Sequence, residues 1–300
     1  MNGHELNEST LIAHFKDLEV HLVNAGEAPA TMEEIGRIRE EEFRAVGAGR
    51  GGELDLDRFD TEWPPYSQLV SWDPQEREIV AMYRAIHCGW ALRQGGLQAL
   101  RTAELFHFSD RFRAEMLEYS VELGRSVVNQ RAKRALAGLF SVWTGLGAIT
   151  REWEDIRYFF GNVSLYRTLP ESAVVALLDY LFRYHRAEAG LVRAHKPVAP
   201  PPGGAGPRAD QPRALEDLQG RAAAEGWIVP PILLSYVKAH PGMLAFDVAE
   251  DEDFGGALEV AIAVPVEGVS ARTVKRFIEP YRSINPTRFL LPESRPREHR

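Results

Sequence analysis

Residues 119–128 read Tyr-Ser-Val-Glu-Leu-Gly-Arg-Ser-Val-Val, and residues 130–153 follow as one long helical run. The first stretch predicts a strand that carries Glu122 between Val121 and Leu123, with Arg125 close behind. An ionised group inside an apolar strand is costly unless it is paired or used. The second stretch puts Leu136, Leu139, Phe140, Trp143 and Leu146 on a broad apolar face, with small residues at Ala135, Ala137, Gly138, Gly145 and Gly147.

Toward the N-terminus, Tyr66 to Trp72 and Glu78 to His87 predict an antiparallel hairpin turning at Asp73-Pro74-Gln75. Its second strand contains another charge, Arg84, flanked by Met82, Tyr83 and Ile86. Phe15 to Val23 predicts a first strand. Thr31-Met32-Glu33-Glu34 is a capping box that opens a helix ending in Gly47 to Gly52. Phe108-Ser109-Asp110 opens a short helix. On the other side, Arg157 to Leu165 predicts a strand, and Pro170-Glu171-Ser172 starts a helix through Tyr184. The proline- and glycine-rich stretch from Val198 to Pro212 reads as a linker or surface loop. Helices over 214–226 and 232–239, a strand over 257–264 and a short helix over 272–281 follow, and the tail from Asn285 is expected to fray. The order predicts an α/β fold on a mixed, mostly antiparallel sheet flanked by helices. Residues 1–197 would form the core, 198–213 the linker, and 214–300 the part that completes the sheet.

Composition narrows the function. The formal charge is −8 over 300 residues, and residues 1–62 hold 15 Asp and Glu against 6 Lys and Arg. The remainder is balanced, which argues against a broad nucleic-acid binder. One cysteine, Cys88, makes no internal disulfide, and no Cys/His set has zinc spacing, so no metal is expected. On a strand, Cys88 and His87 would point to opposite faces, and Cys88 reads as a buried structural thiol. Gly47 to Gly52 matches G-x-G-x-x-G but follows a helix, so it fails as a dinucleotide loop. The uncharged stretch 135–150 is too short to span a bilayer, and the first 30 residues lack a signal-peptide apolar core. A cytoplasmic enzyme, with peripheral contact at the inner membrane left open, is the expectation.

Arg39-x-x-x-Phe43, Asp57-x-x-Asp60, Tyr83-Arg84 and Glu122-Leu-Gly-Arg125 occur in that order. Singly, each has a structural explanation: Asp57 capping a turn, Arg84 an edge-strand charge, Glu122 with Arg125 a solvated strand end. Together they resemble the N-acyltransferase branch of the GNAT superfamily, which includes acyl-homoserine-lactone synthases and the hemolysin-like ornithine-lipid N-acyltransferases. The segments Tyr158 to Ser164, Pro230-Pro231-Ile232-Leu233 and Asp253-Phe254-Gly255 extend the second likeness. The resemblance implies a GNAT-like fold and transfer of a fatty acyl chain, typically 3-hydroxylated, from acyl carrier protein to the α-amino group of an amino acid such as ornithine. A lactone synthase, or a non-catalytic lipid- or partner-binding protein of the same fold, are the alternatives.

The amine must lose a proton before it attacks a thioester, and Glu122, paired with Arg125 and Arg84, is the expected base. Asp57 and Asp60 would hold a cationic acceptor, Arg39 and Arg84 would orient its carboxylate or complete the ion network, and Phe43 is expected in the same substrate-binding set. A backbone amide near Val127 or Val128, at a strand bulge, would meet the oxyanion. Arg131, Lys133 and Arg134, at the start of the long helix, would attract the donor's phosphate and an acidic acyl carrier protein. Gln130 to Ala135 lacks the glycines of the usual GNAT pyrophosphate loop, which suits a pantetheine arm with a single phosphate better than coenzyme A. No permanently bound cofactor is expected; the acyl-carrier phosphopantetheine, or acyl-CoA, enters as donor.

Overall fold

The structure, a computed structural model, describes residues 5–198 and 210–293. Ten strands are present: β1 (Leu11–Phe15), β2 (Leu18–Val23), β3 (Ser67–Asp73), β4 (Glu78–His87), β5 (Phe106–Phe108), β6 (Ser120–Val128), β7 (Tyr158–Leu165), β8 (Val192–Ala194), β9 (Leu244–Asp251) and β10 (Ala257–Pro265). The main helices are α1 (Pro29–Ala45), α2 (Arg58–Thr61), α3 (Cys88–Gly95), α4 (Asp110–Glu115), α5 (Ala135–Glu152), α6 (Glu171–Tyr184), α7 (Gln211–Glu225) and α8 (Pro231–Ala239). Eight strands form one sheet in the order β1-β2-β3-β4-β6-β7-β10-β9, while β5 and β8 pair separately. Every pair in the large sheet is antiparallel except β6 with β7. This is the expected mixed, mostly antiparallel sheet.

Helices cover both faces, which is why the central strand β4 is buried along nearly its whole length. The core with α5 to α8 lies on one face, where Leu69, Tyr83, Leu123, Leu146 and Leu177 meet. On the other face α1 packs over Val70, Met82 and Val127, and α3 and α4 pack around Phe112 and Phe160. No helix among the described residues is long and apolar enough to cross a membrane.

Several expectations need correction. Of the strand foreseen over 15–23 only 18–23 forms, as β2; Phe15 instead ends a separate strand, β1, and Lys16 at a left-handed φ of 56° turns the chain back between them. Thr31 is not the cap of α1, which begins at Pro29; the Glu5 carboxylate instead accepts the amides of Ala30 and Thr31 and the Thr31 hydroxyl. Cys88 begins α3 and is not a strand neighbour of His87, though its thiol is buried. The segment expected as a helix over 272–281 is only a three-residue helical turn and a π-turn. The tail is docked as far as it is described: Asn285 donates to the Glu8 and Leu11 carbonyls and Phe289 is buried. Strands β5, β8 and β9 and helix α3 were not foreseen. Of the linker, residues 199–209 lie outside the described residues, as does the tail beyond 293.

The central feature is where β6 leaves β7. Their parallel pairing runs from Ser120–Tyr158 to Leu123–Gly161 and stops. Beyond that point β7 stays paired with β10 to Leu165, while β6 bends. The cause is a bulge: Arg84 pairs with Gly124 and Met82 with Val127, so β6 holds one residue more than β4 over that interval. Arg125 absorbs it at φ 54°, a left-handed conformation costing a non-glycine residue about 1–2 kcal/mol. Gly161 permits the last close approach, since a Cβ there would lie 2.4 Å from the Leu123 carbonyl oxygen. Gly161→Ala is expected to destabilise the fold by about 1–3 kcal/mol, as overpacking against backbone does. Urea unfolding checks this, and an unchanged midpoint would contradict so close a contact.

Candidate active site

Burial forces the acidic and basic residues of the site into pairs. From α1, Arg39 donates to Asp60 Oδ1 (3.1 Å) and Gln68 Oε1 (2.5 Å). From β4, Arg84 donates to Asp57 Oδ1 (2.8 Å) and Asp60 Oδ2 (3.3 Å). Asp57 and Asp60 also cap α2 reciprocally: the Phe59 amide donates to Asp57, and the Asp57 amide to Asp60. Burial alone would raise the Asp60 carboxyl, but the Arg39 and Arg84 guanidiniums hold it well below the usual range. Arg125 forms a third pair, with Nε 2.8 Å and Nη2 3.2 Å from Asp55, and stacks between Phe254 (4.4 Å) and Phe43 (5.5 Å).

The convergence of Arg39, Phe43, Asp57, Asp60, Arg84, Glu122 and Arg125 in one region is as expected, but the pairing is not. Glu122, 2% exposed, touches neither Arg84 nor Arg125 through a hydrogen bond. Its Oε1 accepts the Tyr66 hydroxyl (2.7 Å) and the Thr102 amide (3.1 Å), and its Oε2 accepts the Thr102 hydroxyl (2.6 Å). Burial raises the Glu122 carboxyl above its ordinary value despite these donors. Asp57 and Asp60 are neutralised within the protein by Arg84 and Arg39, so their oxygens do not await a cation, and Arg39 is entirely buried.

Two neighbouring spaces with part of their lining in common lie where β6 and β7 part. A cleft of about 320 Å³ runs between Arg125 to Val128 on β6 and Asn162 to Ser164 on β7, closed by Phe43, Phe254 and Pro230 to Ile232. Beneath it, a polar chamber of about 50 Å³ shares Gly124, Arg125, Asn162 and Ser164 with the cleft and adds Arg84, Arg101, Thr102, Glu122, Asp251 and Glu259. Strand alternation explains the lining: Glu122 and Gly124 project to one face of β6, Leu123 to the other. On Leu123's face lies an apolar recess, also about 50 Å³, with Phe159, Trp143, Leu146 and Tyr236. The Tyr83 and Tyr236 hydroxyls meet between cleft and recess.

The basic group falls differently from expectation. Helix α5 begins only at Ala135, so Arg131 and Lys133 sit in the preceding turn and Arg134 at its cap. They pair with Glu41, Glu76 and Asp73. The Gln130 and Lys133 amides donate to Glu42 (2.9 Å) and Glu78 (2.8 Å), and those carboxylates stiffen the turn. The apolar face of α5 divides. Trp143 and Leu146 are buried, Leu139 lines the cleft, Phe140 stacks outside on Phe277, and Leu136 is 98% exposed. Sequence reasoning missed Asp55, Tyr66, Thr102, Asn162 and Glu259. Glu259 carries the signal that had singled out Glu122: a carboxyl in an apolar strand, Ala257 to Val264.

Burial pushes the Glu259 carboxyl up from 4.5 to about 7, although the Ser164 hydroxyl (2.7 Å) opposes the rise. The folded state therefore holds this proton more tightly than the unfolded chain. Its penalty is absent below 4.5, grows with pH, and is complete above about 7. Glu259→Gln is expected to stabilise the protein by up to about 3 kcal/mol at about pH 8 and by little at about pH 4. Urea unfolding at both pH values checks this; equal gains at both would contradict it.

Residues 38–143, which span α1 to the middle of α5, match the acetyltransferase (GNAT) domain family. The glycine N(alpha)-acyltransferase of Bacteroides thetaiotaomicron is 31% identical over 292 residues, covering 91% of this chain and 85% of that protein. That of Phocaeicola vulgatus is 30% identical, covering 89% and 86%. Among solved structures, the acyl-homoserine-lactone synthase LasI aligns over 87% of this chain and 94% of its own, at 11% identity and a TM-score of 0.39. By its likeness to the first two along nearly their full length, the chain belongs to the GNAT-type N-acyltransferase family that contains them.

Proposed function

We propose that the protein transfers a fatty acyl group from the thioester of acyl carrier protein to the α-amino group of glycine. The observation that carries this reading is the polar chamber that shares Gly124, Arg125, Asn162 and Ser164 with the cleft where β6 and β7 separate. In this reading an extended pantetheine arm enters the cleft, the amine enters the chamber, and the apolar recess on the Leu123 face receives the first carbons of the acyl chain. At roughly 10–15 Å³ for each water-sized occupant, the chamber holds about four such groups, close to the size of glycine. The curated relatives are named for the same acceptor. Ornithine, the acceptor implied by the sequence resemblance, needs further room for its side chain and finds Asp57 and Asp60 already neutralised.

The thioester carbonyl would lie across the gap. The Asn129 amide donates to the Val80 carbonyl (2.9 Å), so by the alternation of an antiparallel ladder the amide of the next pair, Val128, is directed away from β4 and toward the gap. That N–H is the oxyanion donor this reading assigns. Val127, one residue earlier, buries its side chain under α1.

Acyl carrier protein is favoured over coenzyme A because the Gln130 and Lys133 amides, which a diphosphate would need, already hold Glu42 and Glu78. Arg131 and Lys133 stay exposed, a few residues before the exposed Leu136, and in this reading they exchange their surface partners Glu41 and Glu76 for carboxylates of an acidic helical carrier.

With a 3-hydroxyacyl carrier protein as donor, thiol release is expected with glycine and at least about tenfold less with ornithine or any bulky amino acid. Comparable rates with ornithine would overturn the acceptor assignment. Reversing Arg131 and Lys133 to Glu together should raise KM for the carrier-bound donor about tenfold or more, with kcat and the fold little changed. The same rise with a short acyl-pantetheine donor would contradict a carrier-docking role.

A further inference from the structure

We propose that Glu259, on β10, and not Glu122, is the proton acceptor for the attacking amine, with Glu122 a positioning residue that builds the chamber wall. The assignment rests on the proposed N-acyl transfer and deepens it. Opposite Ser164 in the β7–β10 register, Glu259 projects from the same sheet face as Asn162 and Ser164 into the chamber. Its Oε1 accepts the Ser164 hydroxyl, while its Oε2 accepts no hydrogen bond among the described residues. Glu122 differs: three donors from Tyr66 and Thr102 occupy its two oxygens. Two more buried polar atoms await a partner on this face, Asn162 Oδ1 and Arg84 Nε. Gly124 leaves the latter uncovered, since a Cβ there would lie 3.3 Å from it.

These open groups orient an amino acid in one way. Its carboxylate meets the Arg84 Nε–H, and its ammonium meets Asn162 Oδ1 and Glu259 Oε2. Titration near neutral pH suits a base at that place, since its carboxyl then changes charge in the working range. The charged and titratable groups around it are Asp251 on β9, Arg101 in the turn after α3, Arg84 on β4, Glu122 and Arg125 on β6, and Tyr166 after β7. Asp251 is paired with Arg101 (2.5 Å), Arg84 with Asp57 and Asp60, and Arg125 with Asp55, which leaves Glu259 and Glu122 without a cationic partner; of these two only Glu259 keeps an oxygen that accepts no hydrogen bond among the described residues.

In the step itself, the ammonium gives one proton to Glu259 and the neutral nitrogen forms the C–N bond to the thioester carbon. The C–S bond then breaks. The departing thiolate takes the second proton from that nitrogen and leaves as a thiol, and Glu259 returns its proton to solvent.

The test is the pH profile of kcat/KM for glycine. The wild type should show an ascending limb with a midpoint near 7. Glu259→Gln should lower kcat by about a hundredfold or more and abolish that limb. Glu122→Gln should lower activity but keep the limb, as a positioning role requires. Loss of the limb in Glu122→Gln with its retention in Glu259→Gln would overturn the assignment. Melting of each variant at or above the wild-type temperature excludes misfolding. Absence of thiol release by the wild type with every donor and amine would defeat the proposed function instead. Glu259 is then read by carboxyl carbon NMR: saturating glycine should lower its titration midpoint, and an unmoved midpoint would overturn the inference.

Discussion

The site depends on one conformational constraint, the left-handed backbone of Arg125 at the bulge in β6. Without that extra residue β6 would follow β7 to its end, and ladder hydrogen bonds would close the cleft. The bulge is held from both sides: Asp55 takes the guanidinium in a two-pronged pair, and Phe254 and Phe43 sandwich it. Local strain is thereby stabilised by tertiary contacts from residues 43, 55 and 254, which are remote in sequence. The same period-two alternation that any strand obeys then sorts the chemistry. Polar groups from β4, β6, β7 and β10 collect on one sheet face of the gap and apolar ones on the other, as the proposed transfer requires of an amine and an acyl chain that meet one thioester from opposite sides.

The buried ion pairs serve this geometry more than they serve net stability. Replacing such pairs by apolar groups is often neutral or stabilising, whereas removing one partner costs about 3–5 kcal/mol. Arg39, Asp60 and Arg84 therefore act as a brace that fixes α1 and α2 against β4 and presents Arg84 to the chamber. Glu259 is costly in a different sense. A carboxyl that stays protonated up to neutral pH is poorly solvated, and a stable fold alone would favour Gln there.

Much of the fold is legible in the sequence because its central elements carry strong local signals. The 66–87 hairpin has a turn sequence between apolar runs, and Gly161 and the small residues of α5 mark close approaches. The elements missed had weaker marks. Strand β9 alternates imperfectly, α3 begins without a break after β4, and the true cap of α1 comes from Glu5, 24 residues before Pro29. For the site, the rule that charges inside apolar strands are paired or used picked out Glu122 and Arg84, and both are buried and line the chamber. It could not assign the partners of Glu122 and Arg125, because Tyr66 and Thr102 reach the first, and Asp55 the second, only through tertiary packing. Applied evenly, the same rule would have found Glu259. Arg131 to Arg134 read as a helix start only because nothing local announced that Glu42 and Glu78 hold the turn.

The most direct test of this arrangement is a crystal structure with glycine and a non-hydrolysable thioether analogue of the acyl-pantetheine donor. The sulfur should lie between Leu123 and Val128, where β6 and β7 part, with glycine on the Glu122 face and the acyl chain on the Tyr236 face. Both ligands on one face of the sheet, or a donor bound outside an unopened β6–β7 gap, would contradict it.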